Sequence, residues 1–297
     1  MTLPSIPFDD GQAKLDWLGL TDALAAGHAL PQAKIGDTFL YRDPDTLLSR
    51  AAWIDGMGAL VKTATVFPAN TAAPMINGGV NLYSDADGTL EAIVDFHLVT
   101  KWKTAGDSLL AALRLAQASD RVLIVGAGTV AASIREAFGA GFPGASFAVW
   151  NRTAARAEAL VAQYPDITLE QDLEDAVRRA DIIVGCTMAT DPWLRGDWLR
   201  TGQHVNLIGA YRPDMREADN AALLRAEVYV DSFDTTLAHI GELKLPLEAG
   251  VIQRDHVRAD YYSLDAFAPG DITLFKNGGG AHLDLMTARY ILERWQA

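Results

Sequence analysis

The sequence predicts an α/β protein, a doubly wound parallel sheet joined to a smaller α+β part. Two observations carry this expectation. From Arg121 onward, short apolar segments ("RVLIVGAG", "SFAVWN", "DIIVGCT", "QHVNLIGA", "EVYVDSF") recur with helical segments among them. Strands that are apolar throughout suit a sheet covered on both faces, and their alternation with helices suits a parallel one. Before Arg121 apolar residues instead alternate singly, as in "GALVKTATVF", the pattern of antiparallel strands with one covered face.

Taken in order, residues 13–29 predict a helix with Leu15, Leu18, Leu20, Ala23 and Leu24 on its apolar side. "FLYRD", "GALVKTATVF" and "GGVNLYSDADGTLEAIVDF" read as strands, the last folded at the hairpin turn Asp87-Gly88. A helix from about Thr100 to Gln117 follows. The parallel series then runs through strands at 121–128, 146–151, 181–187, 203–210 and 227–233, with helices to Phe138 and over 153–163. "DITLFKN" and a helix over 280–295 close the chain, and no internal repeat or low-complexity linker interrupts it.

Bulk properties exclude several function classes. At 297 residues and 49% apolar, the chain can bury a core in each of two domains. A formal net charge of −13 argues against nucleic acid or an anionic membrane as partner, since both reward basic surfaces. One cysteine, Cys186, rules out an internal disulfide framework and fits a reducing compartment; it reads as a packed residue at a strand end. The N-terminus lacks a basic region followed by an apolar run, and no apolar run approaches the roughly 18–20 residues that span a bilayer. The expectation is a cytoplasmic protein. No His, Cys or acidic pair has metal-ligand spacing, so no metal is expected, and Glu170, Asp172, Glu174 and Asp175 read as a solvated helix start.

"VGAGTVA" sets Gly126, Gly128 and Ala131 at the spacing of a dinucleotide-binding turn, with Thr129 and Val130 opening the helix behind it. The first glycine permits a tight turn and the second lets backbone approach a pyrophosphate. The alanine keeps the helix close to the sheet, and the helix N-terminus attracts the phosphates. The second strand ends in "WNRT", giving Asn151, Arg152 and Thr153 with no acid until Glu158. A carboxylate there would favour NAD; an arginine fork with hydroxyl and amide donors favours the 2′-phosphate of NADP(H). NAD(H) is the other option.

Several ordered motifs resemble the ornithine cyclodeaminase/μ-crystallin family over roughly residues 56–295: "GALVKTATVFPAN", "GTLEAIVDFHLVTKWKTAGDSLLAALRLA", "VLIVGAGTVA", "VWNRT", "GCTMATDPWL", "NLIGAYRPDMREAD", "VYVDS" and "ITLFKNGGGAHLDLMTARYIL". The resemblance implies a Rossmann domain at 118–274 and a substrate-binding and dimerisation domain from 1–117 with 275–297, hence a homodimer. It also implies hydride transfer at the carbon of an amino acid or cyclic imino acid.

Lys62 lies in an alternating strand on the face of Leu60, Ala64 and Val66, where a lysine wants an anion. It matches the family's active-site lysine, which the resemblance assigns to the substrate carboxylate and to proton transfer. Lys103 stands where the family has a carboxylate-gripping arginine, in Thr100, Lys103, Thr104, Ala105, Gly106 and Ser108. A cation at a helix start is unfavourable alone and becomes sensible if an anionic substrate group lies beside it. Lys101 reads as a surface residue. Another family arginine has Lys34 near its place, with Arg42 and Arg50 as substitutes. Tyr211 replaces the aspartate that handles water or amine in true cyclodeaminases, and a protonated phenol is a poor base. Thr187, Asn277 and Gly279 match positions near the ribose and nicotinamide, and His97 and His282 flank site segments. The expected activity is reduction of a cyclic or linear 2-imino acid to an L-amino acid, with Lys62, Lys103 and Tyr211 catalytic. Ornithine cyclodeamination with ammonia loss, or non-catalytic NADPH binding, are the alternatives.

Overall fold

The alternation ahead of residue 100 builds a six-stranded sheet in the computed structural model, which describes residues 3–297. The chain divides into two units: the N-terminal residues to Lys103 with Gly280–Ala297, and Thr104–Gly279. In the first unit the strands are β1 (Ser5–Ile6), β2 (Lys34–Arg42), β3 (Asp45–Ile54), β4 (Gly58–Val66), β5 (Ile76–Tyr83) and β6 (Leu90–Asp95). Their order is β1-β6-β5-β4-β3-β2, antiparallel except where β1 pairs with β6. The closing helix Ala281–Gln296 packs on β3 and β4, and helix Trp17–His28 packs on that helix. Strand β3 is invisible to an alternation search because Leu47-Leu48 are adjacent and Arg50 occupies its middle.

Register decides what this sheet can do. Asp37 pairs with Arg50, Arg50 with Lys62, Lys62 with Val80 and Val80 with Val94. Directly paired residues share a face, so three charged side chains form a row across β2, β3 and β4. Edge strand β2 is exposed along its whole length, including Phe39, Leu40 and Tyr41.

Helix Phe96–Leu115 begins earlier than its sequence suggests, because the Asp95 carboxylate accepts from the Leu98 N–H at 2.9 Å and caps it. Lys101 and Lys103 therefore lie inside the helix and not at its N-terminus. Neither ammonium opposes the positive end of the helix dipole.

The second unit holds an eight-stranded parallel sheet of β7 (Arg121–Val125), β8 (Ser146–Trp150), β9 (Ile167–Leu169), β10 (Ile182–Gly185), β11 (Gln203–Leu207), β12 (Glu227–Val230), β13 (Val257–Ala259) and β14 (Ile272–Lys276). Its order is β13-β12-β14-β11-β10-β7-β8-β9, and buried Leu123, Ile183, Val205 and Leu274 belong to the core on it. Two expected boundaries move. Strand β14 lies between β11 and β12, so residues 275–279 belong with the parallel sheet and not with the first unit. Residues 104–117 belong there too, tied in by Tyr261 to the Asp107 carbonyl (2.6 Å), Asn206 to the Ser108 carbonyl (2.9 Å) and Thr273 to the Leu115 carbonyl (3.3 Å).

Candidate active site

Strand β4 aims Lys62 at the closing helix because residues 58, 60, 62 and 64 alternate inward. Lys62 is 6% exposed, and its ammonium donates to Asp284 Oδ1 and to Thr100 Oγ1, both at 2.8 Å. The Phe96 ring lies 4.6 Å from the same nitrogen. Lys103, equally buried, reaches the other oxygen of the same carboxylate at 3.3 Å. Two ammonium groups thus converge on one buried carboxylate. Burial lowers Lys62 to about 8, with Lys103 adding to the effect and Asp284 opposing it. Burial alone would raise Asp284, but Lys103 and Lys62 outweigh it and hold the carboxyl at about 2. His282 is lowered to about 3 by burial and by Lys103, so it is a neutral ring. Arg50, beside Lys62, is gripped by Asp37 through Nη2 at 2.9 Å and Nε at 3.1 Å.

The other expected cations do not join this cluster. Lys34 pairs with Trp53, out of phase with the Asp37–Arg50–Lys62 row, so it faces the opposite side of the sheet and is exposed. That position does not serve a site around Lys62. Arg42 pairs with Asp45 at an exposed turn, and His97 is exposed. Lys101 donates to Gln12 at 2.6 Å, a tie to the first helices and not a solvated side chain. Asp284 is the residue sequence reasoning missed. Its signal was an acid between Leu283 and Leu285 in an otherwise buried helix.

In the second unit Gly126 adopts φ +114, and a Cβ there would lie 2.9 Å from Cys186 Sγ and 3.0 Å from its carbonyl. Only glycine fits. Gly128 is the N-cap of helix Thr129–Gly141; it offers no side-chain cap, and a Cβ there would meet nothing within 4 Å. The Ala131 N–H turns back to the Gly128 carbonyl at 3.0 Å, and those of Thr129 and Val130 are left to an anion approaching over open space, which fits a pyrophosphate. At the end of β8, Asn151 closes a turn onto the Thr153 carbonyl (2.8 Å), Arg152 is exposed, and Thr153 caps the next helix without a side-chain bond.

Thr187 follows β10, but its hydroxyl is turned inward and donates to Glu217 at 2.7 Å. Tyr211, beyond β11, is 59% exposed. Asn277 donates to Asp107 at 2.5 Å and Ser108 at 3.1 Å, while its own Oδ1 is buried without a hydrogen-bond partner. Gly279 donates its N–H to Asp231 at 2.7 Å. The Cys186 thiol donates to the Val125 carbonyl at 3.3 Å. Among the described residues no three His, Cys, Asp or Glu side chains could hold a metal ion, and no helix is long and apolar enough to cross a membrane.

Strands β9-β8-β7-β10-β11-β14 reproduce the order in which a topological switch falls beside the first strand, with the glycine turn at its end. Fold and loop together define a protein of the dinucleotide-binding α/β class. The chain belongs to the ornithine cyclodeaminase/mu-crystallin family, whose model matches residues 55–297. It is 47% identical over 302 residues to the Delta(1)-pyrroline-2-carboxylate reductase of Paracoccus denitrificans, covering 96% of this chain and 95% of that protein. It is 33% identical to the ketimine reductase mu-crystallin of Mus musculus, covering 77% and 72% of the two chains. The fold matches the Thermococcus litoralis Delta(1)-pyrroline-2-carboxylate reductase in complex with NADH and L-proline at a TM-score of 0.89, with 22% identity over 99% of this chain and 98% of that one.

Proposed function

We propose that the chain is an NAD(P)H-dependent reductase of 2-imino acids, cyclic ones foremost, that forms an L-amino acid. The observation that carries this reading is the convergence of Lys62 and Lys103 on the two oxygens of Asp284, in a chain that also bears the glycine turn. Two buried ammonium groups aimed at one point suit a carboxylate, and a 2-imino acid offers one. The name of the 47%-identical relative points to Δ1-pyrroline-2-carboxylate as the first substrate to try.

When bound, the reduced nicotinamide supplies the hydride that adds to the imine carbon. The protein's residues do the rest. Gly126, Gly128, Thr129 and Val130 cradle the phosphates, and Asn151, Arg152 and Thr153 favour the 2′-phosphate of NADPH. Lys62 and Lys103 bind the substrate carboxylate, while Asp284 keeps both ammonium groups aimed at one point. The imine nitrogen gains one proton as the carbon gains hydride, and Lys62, lowered to about 8, is the group best matched to deliver it. Tyr211 offers a hydroxyl donor where a cyclodeaminase has a carboxylate base, which disfavours ammonia loss.

The exposed Phe39, Leu40 and Tyr41 along edge strand β2 support a homodimer through the first unit, since an uncovered apolar edge is a pairing liability. Leu40→Glu would shift such a dimer to monomer in sedimentation. The single cysteine supports a cytoplasmic location.

The test is oxidation of NADPH and NADH with Δ1-pyrroline-2-carboxylate, its six-membered analogue and linear 2-imino acids, with the amino acid product measured. Tight dinucleotide binding without turnover on any of these would overturn the reading. Ammonia release from ornithine without net cofactor consumption would replace it with cyclodeamination.

A further inference from the structure

Two buried acids in the second unit take no part in the chemistry above. Glu217 and Glu242 are both fully buried. Glu217 Oε1 accepts from the Thr187 N–H (2.9 Å), the Thr187 hydroxyl (2.7 Å) and the Trp193 indole N–H (3.3 Å). Its Oε2 accepts from the N–H groups of Gly209 (2.7 Å) and Ala210 (3.3 Å). One carboxylate therefore ties the segment after β10 to the segment after β11. Glu242 stands behind it, accepting the N–H groups of Glu217 itself (2.7 Å) and Ala218 (3.0 Å).

The first of these segments borders the glycine turn, and the second packs on the first, where a Gly209 side chain would strike the Thr187 backbone. Cys186, just ahead of Thr187, is the residue a Gly126 side chain would strike, and its N–H donates to the Val125 carbonyl at 2.9 Å. In a sheet of this order a ligand binds beyond the carboxyl ends of the strands at the switch point, which are the ends of β7 and β10. Multidentate acceptance by an ionised carboxylate is strong and directional. A neutral amide in its place would present a donor to one of the two segments.

We infer that Glu217 and Glu242 are positioning residues for the dinucleotide, Glu217 fixing the Cys186–Thr187 segment beside Gly126 against the segment after β11 and Glu242 fixing Glu217. This rests on the dinucleotide part of the proposed function and not on the identity of the imino acid. Burial, with the Glu217 charge adding to it, raises Glu242 to about 7, against the pull of Lys276 and the two N–H groups. Arg216 also interacts with Glu242. Glu242 then gains a proton as pH falls through neutrality and becomes a weaker acceptor for the two N–H groups.

The experiment is direct titration of NADPH and NADH binding by nicotinamide fluorescence, without substrate, with folding checked by circular dichroism. Glu217→Gln is expected to raise the Kd of both dinucleotides about tenfold or more, the loss of one charged hydrogen-bond set. Wild-type affinity is expected to weaken roughly threefold or more between about pH 8 and about pH 6, a dependence Glu242→Gln should flatten. A purely structural role would lower stability without removing that slope. Folded Glu217→Gln with wild-type Kd, a flat wild-type profile, or an unchanged slope in Glu242→Gln would each overturn the inference alone. Failure of the wild-type protein to bind either dinucleotide would overturn the dinucleotide reading itself, and this inference with it.

Discussion

Lys62 and Asp284 are separated by 222 positions in the chain and by 2.8 Å between their charged atoms. The contact joins a central strand of the first unit's sheet to the helix that closes the chain. It completes a charge cluster that no local stretch of sequence contains. Because Lys103 takes the second oxygen of Asp284, one carboxylate sets the direction of both ammonium groups.

Replacing Asp284 with Asn should leave both ammonium groups without their shared counter-charge. Breaking a buried pair by removing one partner costs about 3–5 kcal/mol, partly relieved if Lys62 sheds its proton. Urea unfolding at neutral pH would measure this. The difference from wild type should narrow in acid. Asp284 is depressed to about 2 from 3.8, so its stabilisation is present above pH 4 and is lost as pH falls through the folded value.

Lys62 should impose an alkaline limb on kcat/KM. Its ammonium is needed for a carboxylate and is lowered to about 8, so activity should fall as pH rises through that value. Substrate binding adds a negative charge beside Lys62, so the limb in kcat should lie higher than that in kcat/KM. Lys62→Arg should move the limb up. Lys62→Met should reduce kcat/KM by about 30-fold to several thousand-fold, the equivalent of about 2–5 kcal/mol, with dinucleotide Kd unchanged. Stability has the opposite sign to activity. Between about 8 and 10.5 the unfolded chain holds the proton and the folded one does not, so the folding penalty of Lys62 is full below 8 and shrinks as pH rises.

What the sequence disclosed depended on how local each signal is. The glycine turn and the strands around it were legible because their residues are contiguous and their periodicity belongs to one element. Lys62 was legible from alternation within β4. Lys34 misled because its place in the chain alone matches it to a family arginine, and the face it takes is decided by its pairing with Trp53. Strand β14 reads as a short apolar run whose destination is decided by its neighbours β11 and β12. Asp284 and Glu217 were illegible for a common reason. An acid in sequence is most often solvated, and only the donors gathered around it reveal a buried one.

Gly126 should tolerate no side chain. At φ +114, Gly126→Ala meets Cys186 at 2.9–3.0 Å and must abandon a conformation L-residues rarely adopt. The strain is worth about 1–3 kcal/mol, to be measured as a loss in unfolding free energy. Dinucleotide Kd should rise at least tenfold, since the turn must reshape before the phosphates can approach. Alanine at Gly128, where a Cβ meets open space, should cost little stability while still obstructing the pyrophosphate.

Arg152 should decide which dinucleotide is preferred. It is exposed at the end of β8, follows Asn151 in a turn closed onto Thr153, and has no acid among its immediate neighbours to repel a phosphate. A guanidinium gains most from a doubly charged 2′-phosphate and little from a hydroxyl. Arg152→Ser should therefore raise the Kd of NADPH about tenfold while changing that of NADH less than twofold, a charge-assisted contact being worth about 1.5–3 kcal/mol. Raising ionic strength should weaken NADPH binding to the wild type more than to the variant, because the lost contact is the screened one. Equal losses for the two dinucleotides would assign Arg152 to the loop's structure and remove the basis for an NADP preference.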